Sequence, residues 1–150
     1  MMRKIFLPPI IFVLCLIGIW ASNHYGLATH IWLPAPLHYA GWLFILAGLG
    51  LAAWARYLFL RHQTNILPYK KPDHMVQDGP FRYTRNPMYL GMFLVAFGMA
   101  ILYGTTFSII FPLIFFLIAN RWYIPFEEAH MEDAFGEEFH LYKSRVRRWF

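Results

Sequence analysis

The sequence predicts an all-α integral membrane protein with about four transmembrane helices, the last two forming a helical hairpin that precedes an amphipathic interfacial tail helix. The 150-residue chain is 59% hydrophobic and only 14% charged, whereas soluble domains average about 45–50% apolar and about 25% charged residues. It contains four apolar stretches, and its basic residues fall in alternate connections and termini or at the span ends beside them. We therefore treat residues 1–150 as a single membrane domain.

The predicted spans cover residues 5–21, 37–60, 87–103 and 107–125. A helix needs roughly 20 residues to cross the hydrocarbon, with a range of about 17–25. The second stretch is long enough outright, the first and fourth are adequate, and the third is short. The first stretch also resembles a signal peptide, because Arg3 and Lys4 precede it, but its long apolar run favours retention.

The positions of the charges predict the topology. The connections 22–36 and 104–106 contain no Lys or Arg, so with four spans every basic residue falls on one side. The positive-inside rule makes that side cytoplasmic, with both termini, the loop 61–86 and the tail 126–150. In a bacterium this would be the inner membrane. The net charge of +5 thus reflects topology and anionic lipid headgroups, not nucleic acid.

Two further patterns concern metals and the tail. The single cysteine, Cys15, excludes a disulfide framework, and the seven histidines show no metal-ligand spacing, so we predict no metal. The connection "YGTT" between the last two spans is short enough to enforce an antiparallel hairpin. In the tail, apolar residues recur at helical spacing and predict an amphipathic helix along the membrane surface: Phe135, Phe139, Tyr142, Val146 and Trp149.

The segment "GPFRYTRNPMYLG", residues 79–91, is the most polar stretch beside an apolar run. Asn86 suits a helix N-cap and Pro87 the first helical position, so the third span begins here. A helix N-terminus attracts anions, and Arg85 stands beside it. A capped helix with interfacial arginines is an equally common interpretation of the same residues.

The hairpin predicts a site at this point, because it returns Glu127, Glu128 and Arg121 to the depth of Arg85 and Asn86. We expect aromatic walls around it: Phe81, Tyr83, Tyr89, Trp122, Tyr123 and Phe126. An anion-binding helix start, a carboxylate and aromatic rings suit a zwitterionic cofactor with a flat base. The alternative for the two glutamates is a solvated helix end paired with arginine.

These motifs resemble those of the integral-membrane methyltransferases related to isoprenylcysteine carboxyl methyltransferase and the phospholipid methyltransferases. Such proteins carry a glycine-aromatic turn, Arg-His-Pro-x-Tyr-x-Gly, a helical hairpin, Glu-Glu and a basic Val-Arg-Arg-Trp end. This chain has "GPFRYTRNPMYLG" followed by "EEAHMEDAFGEEFHLYKSRVRRWF", and the resemblance covers about residues 64–150. One departure is Asn86, where eukaryotic members have His; Asn still caps and donates but supplies no titrating imidazole.

The resemblance implies S-adenosylmethionine as the cofactor, bound without a Rossmann fold, and methyl transfer to a lipophilic or amphiphilic carboxylate or amine at the cytoplasmic face. Arg85 and Arg121 become the candidate catalytic residues, Arg121 as the approximate counterpart of an arginine that meets the acceptor. The cofactor contacts map onto nine positions: His74, Met75, Val76, Phe81, Asn86, Pro87, Met88, Tyr89 and Glu127.

Two other classes remain open from the sequence. Membrane sterol-type reductases have similar C-terminal regions and bind NADPH, although the Glu-Glu pair and the short chain favour a methyl donor. A non-catalytic membrane scaffold with the same fold is the third possibility.

Overall fold

The computed structural model describes residues 8–25, 33, 36–63 and 74–149, and within these ranges the chain is helical with no β-strand. Residues 5–7 of the first predicted span, most of the outer loop, residues 64–73 of the predicted cofactor loop and Phe150 lie outside the described residues. The helices are α1 (Pro8–His24), α2 (Gly41–Arg61), α3 (Pro87–Tyr103), α4 (Ile110–Ile118), α5 (Ile124–Phe135) and α6 (Glu137–Arg145).

Among the described residues, two helical stretches are long and apolar enough to cross a membrane, Leu37–Arg61 and Phe107–Phe135. The first joins a 3-10 turn to α2. The second runs without interruption through a 3-10 turn, α4, a π-helical turn at Ala119–Tyr123, and α5. The other two apolar helices, α1 and α3, have 17 residues each, which is about 25 Å and near the lower limit for a span.

Small residues place α2 directly against α3. A Cβ atom at Gly91 would lie 2.6 Å from the carbonyl oxygen of Gly48, and one at Gly98 would lie 2.5 Å from that of Gly41. The two contacts are one heptad apart on each helix, so the backbones touch along an antiparallel pair. Small residues at such a crossing permit close approach without a hydrophobic driving force, as expected within a bilayer.

Helix α3 lies between α2 and the pair formed by α1 and α4. On the α1/α4 side the core contains Cys15 and Phe115, which are 5% and 1% exposed. Cys15 is therefore a packing residue, as its place in an apolar run predicts. The end of α3 is set by Gly104, whose φ of +65° ends the helix in a left-handed cap. The chain then turns back into α4, which confirms the predicted hairpin.

Hydroxyl and amide side chains join α1 to this hairpin turn at the end of the bundle away from Asn86. Asn23 Nδ2 donates to Ser108 Oγ over 2.8 Å, and Thr105 Oγ1 donates to Asn23 Oδ1 over 3.1 Å. Ser108 and Thr105 are buried and bond to each other. Because each of these groups has a partner, their burial adds stability rather than cost.

The tail differs from its predicted arrangement. Gly136, with φ of +50°, separates α5 from α6, so the continuous tail helix expected from the spacing is broken there. Phe139, Tyr142 and Val146 are at most 9% exposed, and they pack against Met75. The prediction that this apolar face lies on the membrane is therefore wrong, because another segment of the same chain covers it.

Candidate functional site

The start of α3 forms one side of the candidate site. Pro87 is the first helical residue and is fully buried, as predicted. Asn86 precedes it but makes no side-chain cap. Its Nδ2 instead donates to the carbonyl oxygen of Arg148 over 3.0 Å. The predicted capping role of Asn86 is therefore wrong, because its side chain does not bond to the first-turn amides of α3.

Glu127, on α5, meets α3 at its first turn. The Tyr89 hydroxyl donates to Oε1 of Glu127 over 2.6 Å. Oε2 of Glu127 accepts no hydrogen bond within the described ranges. The rings of Tyr89 and Tyr123 stack at 6.5 Å with planes 21° apart. The sequence expectation that Glu127 returns to the α3 start is confirmed, and the residue keeps one carboxylate oxygen for a further donor.

The adjacent Glu128 points to a different set of partners. Its side chain is 10% exposed; Oε1 accepts from Arg85 Nη2 over 2.8 Å and Oε2 from Arg148 Nη2 over 2.6 Å. Charge-assisted bonds of this kind are shorter and stronger than neutral ones. Glu128 is thus held between two guanidinium groups, whereas Glu127 faces Tyr89.

The end of the chain, residues 146–149, folds back over the α3 start, and we call it the C-terminal strap. The carbonyl oxygen of Arg147 accepts from the Arg85 amide over 3.0 Å. The carbonyl oxygen of Arg148 accepts from Thr84 Oγ1 over 3.1 Å and from Asn86. The strap therefore ties the loop before α3 to the helix that carries the two glutamates.

Three N–H groups of the Arg85 guanidinium are engaged by these neighbours. Its Nη1 donates to the carbonyl oxygens of Lys143 and Val146, and its Nη2 donates to Glu128. Its Nε is buried and donates to no acceptor in the described part of the chain. The geometry makes Arg85 an anchor for α6 and the strap.

A second apolar cluster lies between the predicted cofactor loop and the end of α2. Val76 and Phe81, both 6% exposed, pack with Ala55 and Leu58, and Met88 contacts the cluster. The Tyr142 hydroxyl donates to the carbonyl oxygen of Phe81 over 2.7 Å. Burial raises the pKa of Tyr142 to about 12, although the charge of Arg85 opposes the shift, so this hydroxyl remains a donor at neutral pH.

The structure brings together most, but not all, of the predicted site. Val76, Phe81 and the four residues 86–89 surround the α3 start, and Glu127 joins them. Met75 packs instead with the α6 cluster, and His74 is exposed. Three other predicted residues are also exposed and do not line a wall here: Arg121, Tyr83 and Trp122. No group of three metal-ligating side chains occurs among the described residues.

Sequence reasoning missed the contribution of Asn120, Arg148 and Trp149. Arg148 Nη1 reaches Asn120 Oδ1 over 3.3 Å, and Trp149 Nε1 donates to the same oxygen over 3.0 Å. The only signal was the basic-aromatic end "VRRW", which the resemblance already contained. Its partners could not be read from spacing, because they lie at least 20 positions away.

Comparison with known proteins identifies the family of this chain. The model of the phospholipid methyltransferase family matches residues 37–138. An uncharacterized protein of Haemophilus influenzae is 36% identical over 62 residues, which is 41% of this chain and 98% of the relative. A protein-S-isoprenylcysteine O-methyltransferase of Schizosaccharomyces pombe is 33% identical over 81 residues, 51% of this chain. That match spans only 33% of the yeast protein's length. The region that the family model matches contains α2, α3, both glutamates and the hairpin between them. The chain therefore belongs to the phospholipid methyltransferase family.

Proposed function

We propose that the protein transfers a methyl group from S-adenosylmethionine to a lipophilic or amphiphilic acceptor at the cytoplasmic membrane face. The observation that carries the proposal is the Tyr89–Glu127 pair at an uncapped helix start. Family membership supports methyl transfer as the reaction. The nature of the donor and the acceptor is our inference from the site.

The residues at the α3 start fit the zwitterionic part of the donor. The first-turn amides of Met88 and Tyr89, which Asn86 does not cap, suit its carboxylate, since a helix N-terminus favours anions. Oε2 of Glu127 suits its amine or its ribose hydroxyls. The apolar cluster around Val76 and Phe81 suits the adenine, with His74 and Met75 at its edge. When bound, the sulfonium donor supplies an electrophilic methyl group, and aromatic rings favour a cation.

A row of five aromatic rings supports a lipophilic acceptor. It passes from Phe44 on α2 through Phe97 and Phe93 on α3 to Phe116 on α4 and Trp149 in the strap, with neighbouring centroids 4.7–5.8 Å apart. All five side chains are half-buried. Phe93 and Trp149 also contact the core cluster that contains Tyr89. An apolar chain lying along this row would end beside the donor site.

The two candidate catalytic arginines receive different roles. Arg85 uses three of its hydrogen bonds on protein acceptors, so we assign it to positioning the α3 start. Arg121 is exposed on the π-helical turn, one residue from the exposed Trp122. This placement suits contact with the anionic head of an acceptor at the interface. Methyl transfer to an acceptor that is already anionic needs orientation more than a general base.

We further propose four spans within a single domain 1–150, with both termini in the cytoplasm and, in a bacterium, in the inner membrane. Helices α1 and α3 are apolar and run beside the two longer helices. The glutamate pair, the strap and the predicted cofactor loop would then share the cytoplasmic side.

Calorimetry on the full chain in detergent tests the donor. We expect S-adenosylhomocysteine to bind and NADPH not to bind. Glu127→Gln and Tyr89→Phe should each weaken S-adenosylhomocysteine binding by about tenfold, because each removes a charged or hydrogen-bonding group at the site. Tyr83→Phe is the matched control, since Tyr83 is 77% exposed. Binding of NADPH alone would indicate a reductase, and binding of neither compound a scaffold.

A further inference from the structure

The guanidinium group of Arg148 bridges two points on the helix that carries Glu127. Its Nε and Nη2 reach the two oxygens of Glu128 over 3.3 and 2.6 Å, and its Nη1 reaches the carbonyl oxygen and Oδ1 of Asn120 over 3.4 and 3.3 Å. Trp149 Nε1 adds a second bond to Asn120. One side chain of the strap therefore joins the beginning of the π-helical turn, at Asn120, to Glu128 on α5.

The π-helical turn explains how one guanidinium group reaches both residues. Asn120 and Glu128 are eight positions apart. In a regular α-helix, side chains at this spacing point about 80° away from each other around the helix axis. A π turn accommodates one extra residue, so the offset falls to about 20°. The turn at Ala119–Tyr123 thus brings Asn120 and Glu128 onto one face, and Arg148 bonds to both.

The same turn sets what faces the donor site. Tyr123, its last residue, stacks on Tyr89, and Glu127 lies next to the Glu128 that Arg148 holds. Adjacent helical residues point about 100° apart. Fixing Glu128 toward the strap therefore turns Glu127 toward Tyr89.

We propose that Arg148 is a positioning residue for the methyl-donor site. By bonding to Asn120 and Glu128 it fixes the π-helical turn, and this orients the carboxylate of Glu127 at the start of α3. The inference rests on the proposed function, because the ligand that Glu127 meets is the methyl donor. If Arg148 acts by positioning Glu127, the loss of binding on substituting Arg148 should depend on the presence of Glu127.

A double-mutant cycle on the full chain tests this coupling, with the affinity for S-adenosylhomocysteine measured by calorimetry at a temperature where every variant is folded. Arg148→Gln should weaken binding by about tenfold with Glu127 present, and by less than about twofold in the Glu127→Gln background. Arg148→Lys should lose nearly as much, because an ammonium group cannot form the fork that reaches Asn120 and Glu128. Arg145→Gln is the charge-matched control, since Arg145 is exposed and, within the described part of the chain, bonds only to its own helix.

The outcomes separate this inference from the proposed function. If the wild-type chain does not bind S-adenosylhomocysteine, the proposed function fails. If the wild type binds and Arg148→Gln causes the same loss in both backgrounds, or no more loss than Arg145→Gln, the positioning role is overturned. If Arg148→Gln does not fold, Asn120→Leu tests the same anchor, because it removes the side-chain oxygen that accepts from Arg148 and Trp149 and leaves the ion pair with Glu128. We expect a loss of about threefold for it, again dependent on Glu127, and an unchanged affinity would overturn the proposal.

Discussion

The Tyr89 hydroxyl and Oε1 of Glu127 lie 2.6 Å apart, although the two residues are 38 positions apart in the chain. The contact joins the first turn of α3 to the first turn of α5. Beside it, Glu128 forms ion pairs with Arg85 and Arg148. Two neighbouring carboxylates of the same type therefore have separate partners and, we expect, separate functions.

Substituting the two glutamates separates stability from binding. Glu128→Gln should lower the free energy of unfolding by about 2 kcal/mol, because two largely desolvated guanidinium groups lose their charged partner. Glu127→Gln should change it by less than about 1 kcal/mol, since the amide oxygen still accepts from Tyr89. The free energies of unfolding of the wild type and both variants, measured in the same detergent, give this comparison. Equal destabilisation would contradict the division between the two residues.

The glycine contact between α2 and α3 predicts a position-specific effect of added methyl groups. Gly91→Ala should lower the free energy of unfolding by about 1–3 kcal/mol, because the new Cβ would meet the Gly48 backbone at 2.6 Å. Gly50→Ala is the control, since no atom lies within 4 Å of its added Cβ. That variant should be unchanged or more stable by up to about 1 kcal/mol. Similar losses at both positions would show that the helices do not meet here.

The buried face of α6 can be tested with two residues of the same helix. Phe139 is 2% exposed and Leu141 is 55% exposed. Phe139→Ala should cost about 3–5 kcal/mol through cavity formation, whereas Leu141→Ala should change stability by about 0.5 kcal/mol or less. Thermal unfolding of the two variants provides the comparison. A larger loss for Leu141→Ala would mean that the exposed face is the one that packs.

The proposed topology predicts the location of reporters at two points. A reporter fused after residue 150 should be cytoplasmic, and one inserted in the connection 104–106 should lie on the opposite side. The physical reason is that the Lys and Arg residues flank only one set of helix ends. Accessibility of the two reporters to a membrane-impermeant reagent measures this. Labelling of both from the same side would contradict four spans.

Local patterns predicted the helices well. The third predicted span, 87–103, has the same bounds as α3, and the second differs from the helical stretch Leu37–Arg61 by one residue. Pro87 and Gly104 mark these ends through backbone preferences that need no distant partner. Hydrophobicity predicted the long apolar helices for a similar reason, because it depends only on the residues themselves.

Non-local contacts account for the failed predictions. Asn is a residue type that favours the N-cap position, but the side-chain amide of Asn86 donates to the carbonyl oxygen of Arg148 instead. The spacing in the tail correctly indicated an apolar face, yet Met75 packs against that face. In both cases the competing partner lies more than 50 positions away, beyond any local pattern.

By itself, the sequence determined which segments form apolar helices, where α3 begins and ends, and that Glu127 returns to the start of α3. Only the tertiary structure decided that Glu127 faces Tyr89 while Glu128 faces Arg85 and Arg148, and that the strap folds back onto the start of α3. The reason is that helical character is set by neighbouring residues, whereas the partner of a buried carboxylate depends on which distant groups the folded chain brings within hydrogen-bonding distance.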